Sequence, residues 1–599
     1  MSPDRQVDKK ADLVIRNCQF VNVATQEIYP ADIEISTGRI SGVRPPGRGR
    51  GHRVLDAHGL YATPGFMDAH LHTESCLLTL PRFAAAVLPA GTTTVFINPH
   101  EIANVLGIRG VQWLVQAAAR LPLRVYLIAP CKVPTARGLE TSGASFGRRE
   151  IEEMAGWPGV LAMGELNGDR LLAGEPRQTR LLKLTKEFGK MPAGHLSGVR
   201  ASDLVRLQKM GVRDDHECVT FEEVRDRSRV GITSFLREGS AARSLDAIIP
   251  ALVRSGMSTE RLCFCTDDKH ADDLLREGGI SHCVRKSIAL GLSAVQALAM
   301  ASRNCARHYG LEGERGSLLP GEKADLLLLP SLRTIRPRYV LVEGRVVHGP
   351  DATYRPPRLA PAPAWCVGTL RIPRSFPGDI LKIAAPRPGA RKTAARVIEV
   401  TPDSLLKKEL CLEVPVRRGA FASDPGNDIL KIAVLDRYTG KGRASSAFVR
   451  GFGLREGALV SSVAHDHHNL IGVGAADEEI LAGFHILGES GGGLCAVRGG
   501  KALALLPLPI AGLMSDRPLA EIVKGLGEVN RAARQLGCGL PSPFVTLSFL
   551  SLVSIPDLGL TDRGLFRTLG REKVPVALRR PPRTRRAERA PTGSGSGSL

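Results

Sequence analysis

Thr63-Pro-Gly-Phe-Met-Asp-Ala-His-Leu-His72 is the stretch on which the reading of this chain turns. Two histidines stand one residue apart after a short apolar run, and the chain then becomes polar at Thr73-Glu-Ser75. Side chains alternate faces along a strand, so positions i and i+2 point the same way. His70 and His72 therefore aim both imidazoles into one space, which suits a metal ion. An HxH alone matches many chains; the reading gains force because further ligands stand at the ends of later strands.

From residue 61 to 310, strand-like runs alternate with runs of helical period. Candidate strands end near Asp68, Asn98, Pro130, Glu165, His195, Asp215, Arg237 and Asp267, with helical stretches such as 111–120, 178–188, 201–209 and 246–254 between them. Eight strands with intervening helices is the count of an α/β fold, a TIM-like (β/α)8 barrel. A doubly wound sheet would instead gather its site at one crevice. Residues 11–60 carry short alternating strands with Gly-bearing turns, and the pattern returns at 324–329 and 338–347. Neither half buries a core alone, so they pair as one small composite β domain, 11–60 plus 311–355. A Pro-rich linker at 356–363 leads to a C-terminal α+β domain at 365–575. The end, 576–599, is a basic, Gly/Ser-rich tail expected to be disordered.

Barrel enzymes carry their chemistry at the C-terminal ends of strands. Those positions hold His70, His72, Glu165, His195, His216 and Asp267. Most follow apolar or small residues; His216 is the exception, with Asp214 and Asp215 before it. Four imidazoles and two carboxylates exceed the three protein ligands of a single catalytic zinc. They suit two cations about 3.5–4 Å apart, with a carboxylate and hydroxide bridging them. A bound metal lowers the pKa of its water, and the resulting hydroxide attacks an electron-poor carbon while a carboxylate moves the proton. Asp267, at the end of the last strand, is assigned that shuttle. The reaction class is metal-assisted hydrolysis of an amide or of an amidine-like ring C–NH2.

The net charge of +21 raises a nucleic-acid reading. Its distribution argues against a specific nucleic-acid partner: six arginines crowd into 579–589, and the remaining excess has no aromatic interleaving. No run approaches the ~20 apolar residues of a membrane span. Met1–Lys10 is charged, without the apolar core of a secretory signal. The 12 cysteines show no CxxC pair and fall mostly in apolar runs, so a reduced, cytoplasmic protein is expected. Assembly as a homodimer or higher homo-oligomer is expected as well.

The segment 63–75 closely resembles the first-strand signature of the amidohydrolase superfamily, in the version found in adenine deaminases of the bacterial type. Longer motifs carry the same resemblance: Leu88-Pro-Ala-Gly-Thr-Thr-Thr-Val95, Pro99-His-Glu-Ile-Ala-Asn-Val-Leu-Gly107, Arg237-Glu-Gly-Ser-Ala-Ala-Arg243, Cys265-Thr-Asp-Asp268, and, in the third domain, Ser462-Val-Ala-His-Asp-His-His-Asn469 and Pro507-Leu-Pro-Ile-Ala-Gly-Leu-Met-Ser-Asp516. It covers about residues 10–570. The resemblance implies deamination of adenine to hypoxanthine and ammonia in purine salvage, on two divalent ions, manganese or iron, with zinc as a further option. The family's metal histidines fall on His70, His72, His195 and His216, its bridging glutamate on Glu165 and its last-strand aspartate on Asp267. Asp466 and His468 are signature residues of the third domain, expected to contribute to the pocket. Substrate contacts are expected from Glu101, Arg237, Glu238 and Ser240, with Glu238 also placed to hold or protonate a ring nitrogen. Three positions depart from the family pattern. Asn98 stands where an aspartate is expected, Ala193 replaces a second acid, and Lys132 is inserted after Cys131. They leave open a different aminopurine or an N6-substituted adenine, with cyclic-amide hydrolysis a more distant rival.

Overall fold

The structure, a computed structural model, describes residues 10–240, 242–356, 362–377, 379–401, 406–555 and 557–578. The central part of the Pro-rich linker and the basic tail from 579 onward lie outside the described residues. Strands from both ends of the barrel segment make one nine-stranded sheet. Its seam is Leu326–Leu329 paired antiparallel to Tyr61–Pro64, with Leu327 opposite Thr63. The sheet thus takes in Tyr61–Pro64, which the sequence reading had assigned to the start of the barrel. Leu326 to Leu329 are all buried, filling the seam with apolar side chains.

The middle of the chain is TIM-barrel-like. Phe66–Leu71, Thr92–Ile97, Arg124–Pro130, Val160–Asn167 and Met191–His195 form a five-stranded parallel sheet; Asp214–Asp215, Thr233–Arg237 and Leu262–Cys265 form a three-stranded one. Every residue of Phe66–Leu71 and of Thr92–Ile97 is buried, as parallel strands covered on both faces require. The two sheets meet where Leu71 bridges Asp267: the Asp267 N–H donates to the His70 carbonyl (3.0 Å) and the His72 N–H to the Asp267 carbonyl (3.1 Å). At the other edge the backbones approach so closely that a Cβ on Gly194 would stand 2.3 Å from the Asp214 carbonyl oxygen. Only glycine fits beneath His195 there.

Helices return the chain between strands. Pro176–Glu187, Ala201–Met210 and Leu245–Ser255 match the expected helical stretches to within a turn. His100–Ala118 starts eleven residues before the expected 111–120. The reason is Gly107, whose φ of 67° breaks the helical run and hides its first two turns from a periodicity reading. This early start matters, because it places His100 and Glu101 on the first turn, just past the strand end at Ile97.

The third domain is built on a nine-stranded sheet in the order Ala420–Phe421, Lys407–Arg417, Lys392–Val400, Ala444–Arg450, Leu430–Leu435, Leu470–Gly474, Ala458–Ser461, Gly493–Arg498, Lys501–Pro507. Asp477–Ser490 and Leu519–Gln535 pack on it. One hydrophobic cluster runs without interruption from Leu77, Ile102 and Val105 of the barrel-like domain to Ala464, Met514 and Leu547 of the third. Main-chain bonds from Ser515 N–H to the Leu77 carbonyl (2.9 Å) and from Thr79 N–H to the Ser515 carbonyl (3.1 Å) tie the two together. The third domain is thus continuous with the end of the barrel that holds the site. Among the described residues, no helix is long and apolar enough to cross a membrane.

Candidate metal centre

Six side chains from five strand ends converge. His70 Nε2 stands 3.1 Å from Glu165 Oε1 and 3.5 Å from Asp267 Oδ1; His72 Nε2 stands 3.3 Å from Asp267 Oδ1 and 3.6 Å from Glu165 Oε1. His195 Nδ1 lies 3.5 Å from Glu165 Oε2, and His216 Nε2, its ring stacked on His70 with centroids 4.2 Å apart, lies 4.0 Å from Oε1. His195 Nδ1 and His216 Nε2 face each other at 3.4 Å. The structure brings together every residue assigned from sequence to the metal set. His195 is the most open of them, its side chain 27% exposed against 7% or less for the other five, so approach from solvent is on its side.

The donor set fits divalent cations. His70, His72 and Glu165 form one group of mutually close ligand atoms; Glu165, His195 and His216 form a second; His70, His216 and Asp267 a third. Among the described residues, His70 Nε2 and Glu165 Oε1 are buried without a hydrogen-bond partner, although unpaired buried polar atoms are costly. His72 Nδ1 is bonded to the Asn98 carbonyl at 2.8 Å. A carbonyl only accepts, so Nδ1 carries a hydrogen and Nε2 faces inward, the orientation in which a hydrogen bond from the other ring nitrogen holds metal-ligating histidines. Electrostatics agree. Burial opposes charge on His70 and His72, but Asp267 and Glu165 push His70 up to about 9, and Asp267 with Asp268 pushes His72 up to about 10. Burial would raise Glu165 and Asp267; the surrounding imidazoles, joined at Asp267 by Arg237, hold both carboxyls well below the usual range. Such a cluster exchanges protons for a cation when one binds.

Arg237 and Glu217 stand against this set. Arg237 Nη1 donates to Asp267 Oδ2 (2.9 Å) and Glu217 Oε1 (2.7 Å). Glu217 Oε1 in turn lies 3.5 Å from His216 Nε2 and 3.7 Å from His195 Nδ1. Glu217 was missed from sequence; its only signal is adjacency to His216, and its partner comes from the next strand. Arg237, expected at the substrate, instead orients Asp267. Glu238, the next residue, is fully buried and bonded to Lys286 (2.8 Å) and Arg243 (3.4 Å), so the structure does not bring it to the six. The Ser240 hydroxyl donates to Asp273 (2.6 Å) and accepts from the His270 N–H (2.9 Å). The acids before His216 are spent internally, Asp215 on Arg227 (2.8 Å) and Asp214 on His308 (2.9 Å).

A second cluster lies where the third domain meets the barrel. The His100 ring packs edge-on to His72, centroids 4.5 Å apart. Glu101 Oε1 is 3.1 Å from His100 Nε2 and 2.8 Å from His465 Nδ1, and Oε2 pairs with His468 Nε2. Glu101, expected to bind substrate, thus has both oxygens taken. Asp466 faces His100 Nε2 at 3.7 Å, outside the six-residue set. Burial opposes charge on His465, but Glu101 pushes it up to about 9; burial and neighbouring imidazoles push His467 down to about 3.

The departures from the family pattern also have places. Lys132 Nζ donates to Asn167 Oδ1 (3.1 Å), Ala193 is packed in the apolar barrel interior, and neither amide atom of the buried Asn98 has a hydrogen-bond partner.

Comparison with known proteins agrees along the chain. Residues 61–347 match the amidohydrolase family and residues 404–571 the adenine deaminase C-terminal domain. An adenine deaminase of Desulforamulus reducens is 39% identical over 568 residues, 95% of this chain and 96% of its own. One from Moorella thermoacetica is 40% identical over 563 residues, 93% of this chain and 94% of its own. One from Geobacillus kaustophilus is 38% identical over 569 residues, 95% and 97% respectively.

Proposed function

The chain belongs to the adenine deaminase family of the amidohydrolases, and from that premise we infer that it hydrolyses adenine to hypoxanthine and ammonia at the convergence of His70, His72, Glu165, His195, His216 and Asp267. We read the two parallel sheets as one (β/α)8 barrel and the six residues as the seat of two divalent cations, manganese or iron, with zinc an option. The observation that supports the pair is Glu165, whose unpartnered buried Oε1 lies 3.1–4.0 Å from His70, His72 and His216 while its Oε2 lies 3.5 Å from His195. When bound, the metals acidify the attacking water and offset charge developing on the ring.

The chain's own groups do the rest. Asp267 is ionised at neutral pH, as a base must be, because its neighbouring imidazoles and Arg237 favour the carboxylate. Its Oδ1 faces the histidines and takes a proton from water, while Arg237 fixes Oδ2. Water adds its oxygen at C6. One of its protons leaves with the amino group as ammonia and the other ends on the ring nitrogen of hypoxanthine, so the atoms balance. The third domain covers the strand ends and excludes bulk water, which strengthens each of these contacts.

The reading extends to a reduced, cytoplasmic setting in purine salvage, supported by twelve free thiols, all buried except Cys411. The unpartnered Asn98 amide, where an aspartate was expected, favours a second reading in which an N6-substituted or other aminopurine is preferred. An ultraviolet assay of adenine beside 6-methylaminopurine, guanine, cytosine and dihydrouracil separates these readings, and preference for dihydrouracil would reject deamination. Chelation should abolish turnover, and manganese should restore it with a break at two ions per chain. Full activity at one ion per chain would reject the pair.

A further inference from the structure

The two parallel sheets meet along two edges, and the edges are fastened differently. At one, Leu71 bridges Asp267, and main-chain bonds join the segments that carry His70, His72 and Asp267. At the other, Met191–His195 is the edge of the five-stranded sheet and Asp214–Asp215 belongs to the edge of the three-stranded one. Among the described residues no strand pairing joins these two. Yet this unpaired edge carries His195 and His216, whose Nδ1 and Nε2 stand 3.4 Å apart.

Side chains do the fastening there. Asp215 Oδ1 accepts the Leu196 N–H and the Glu217 N–H, both at 3.0 Å. One carboxylate oxygen thus ties down the residue after His195 and the residue after His216. Asp215 Oδ2 is fixed in turn by Arg227, whose Nε donates to it at 2.8 Å while Nη2 donates to the Leu196 carbonyl at 3.1 Å. On the other flank of His195, the Gly194 N–H donates to Asp214 Oδ1 at 2.6 Å, and His308 Nε2 donates to Asp214 Oδ2 at 2.9 Å. Asp214, Asp215 and Arg227 are all buried, so water does not compete for these bonds, and their charges strengthen them. None of the three belongs to the metal set.

We propose that Arg227 and Asp215 are positioning residues for one half of the metal pair. They set the separation of His195 and His216, so the seat these two share with Glu165 can be weakened while the seat of His70, His72 and Glu165 stays intact. The proposal rests on the two-cation reading above. The guanidinium is needed for its shape as well as its charge. From one rigid fork it grips the Asp215 carboxylate and the Leu196 carbonyl, and so fixes one strand end to the other. An ammonium keeps the charge against Asp215 but has no such fork. Partners that hold metal-ligating groups in place from outside contribute about 10–100-fold to metal affinity.

The test uses the full-length chain, stripped of metal and titrated with manganese, and reads the ions bound per chain together with the electron paramagnetic resonance signal. Arg227→Lys should bind its first manganese within about twofold of wild-type affinity and its second at least about tenfold more weakly. With one ion bound it should show the signal of an isolated ion, where the saturated wild type shows a coupled pair. At manganese that just saturates the wild type, its adenine turnover should fall at least about tenfold. Raising manganese should bring turnover back to within about threefold, a rescue that damage to the fold would not allow. If Arg227→Lys does not fold, Asp215→Asn decides. It keeps the volume and an acceptor for the two N–H groups but gives up the charge that draws Arg227, and should show the same order of loss with a smaller gap of about threefold. Wild-type affinity for both ions in the folded variant, or equal weakening of both, would overturn the proposal and leave the metal pair intact. A wild-type chain that saturates at one ion would overturn the two-cation reading, and this proposal with it.

Discussion

His72 and His468 are both buried, both close to a glutamate or aspartate, and both on segments rich in histidine, yet they use the same ring atom in opposite ways. His72 Nδ1 faces a carbonyl, Asn98 O, so it carries a hydrogen and Nε2 faces the centre, where a cation would displace the proton that Asp267 favours. His468 Nδ1 accepts the Ala464 N–H at 3.2 Å, so the hydrogen sits on Nε2 and points at Glu101. A neutral imidazole has one donor and one acceptor, and the backbone has assigned them. The first cluster is left with unpaired buried atoms, His70 Nε2 and Glu165 Oε1; in the second, both Glu101 oxygens are bonded. One is built to receive a cation. In the other, whose residues also lie within ligand distance of one another, the Glu101 oxygens are taken by His465 and His468 across the domain boundary. Counting histidines and acids does not separate the two; the partner of the outward nitrogen does.

Glutamine provides the sharpest test of that contrast, since it keeps an N–H donor in place of the imidazole. His72→Gln should lower kcat/KM at least about 10³-fold, roughly 4 kcal/mol of transition-state stabilisation. It should also lower the bound metal below the wild-type count, with an unchanged circular-dichroism spectrum. Wild-type metal content and turnover in this variant would erase the distinction. At the second cluster, His468→Ala should cost about tenfold in kcat/KM with metal content unchanged. His468→Gln should recover to within about threefold, because only the donation to Glu101 is needed. If Gln fails where Ala fails and metal is lost with both, His468 is a ligand and the clusters are alike. Asp466→Asn should have a smaller effect, about threefold on kcat. Its carboxylate stands 3.7 Å from His100, beyond a direct hydrogen bond, and neutralising it changes the field at His100 more than its position.

How much of this was legible in the sequence follows the range of the interactions. His70 and His72 were readable because strand alternation is local, and Glu165, His195 and Asp267 because each ends a strand-like run; His216, preceded by two aspartates, was carried by the family resemblance. Glu217 was hidden because its role depends on Arg237, twenty residues later on the neighbouring strand. Glu238 shares a motif with Arg237, but its carboxylate is bonded to Lys286 and the structure does not bring it to the six. The start of the helix His100–Ala118 was masked by Gly107, and with it the position of Glu101. The core shared between domains was not legible at all, since Leu77 and Met514 belong to segments that read as separate units.

The mildest prediction tests whether the two clusters are energetically separate. Asp562 fastens the barrel loop at Thr141 to the third domain: Oδ1 accepts the Thr141 N–H (2.9 Å) and Oδ2 the Thr141 hydroxyl (2.6 Å). Asn469, directly after His468, donates to the Thr141 carbonyl (2.9 Å) and reaches Asp562 Oδ1 at 3.4 Å. Asp562→Ala leaves a partly buried N–H without its acceptor, at a cost of about 1–3 kcal/mol, read as a lower urea midpoint. The latch touches the loop of the second cluster and none of the six metal-set residues. Metal content should therefore equal wild type, and kcat/KM should stay within about twofold. A loss of metal on cutting this contact would mean that the centre depends on the third domain for its shape. The two clusters would then be parts of one site, and the contrast between His72 and His468 would describe two stages of a single hydrogen-bonded network.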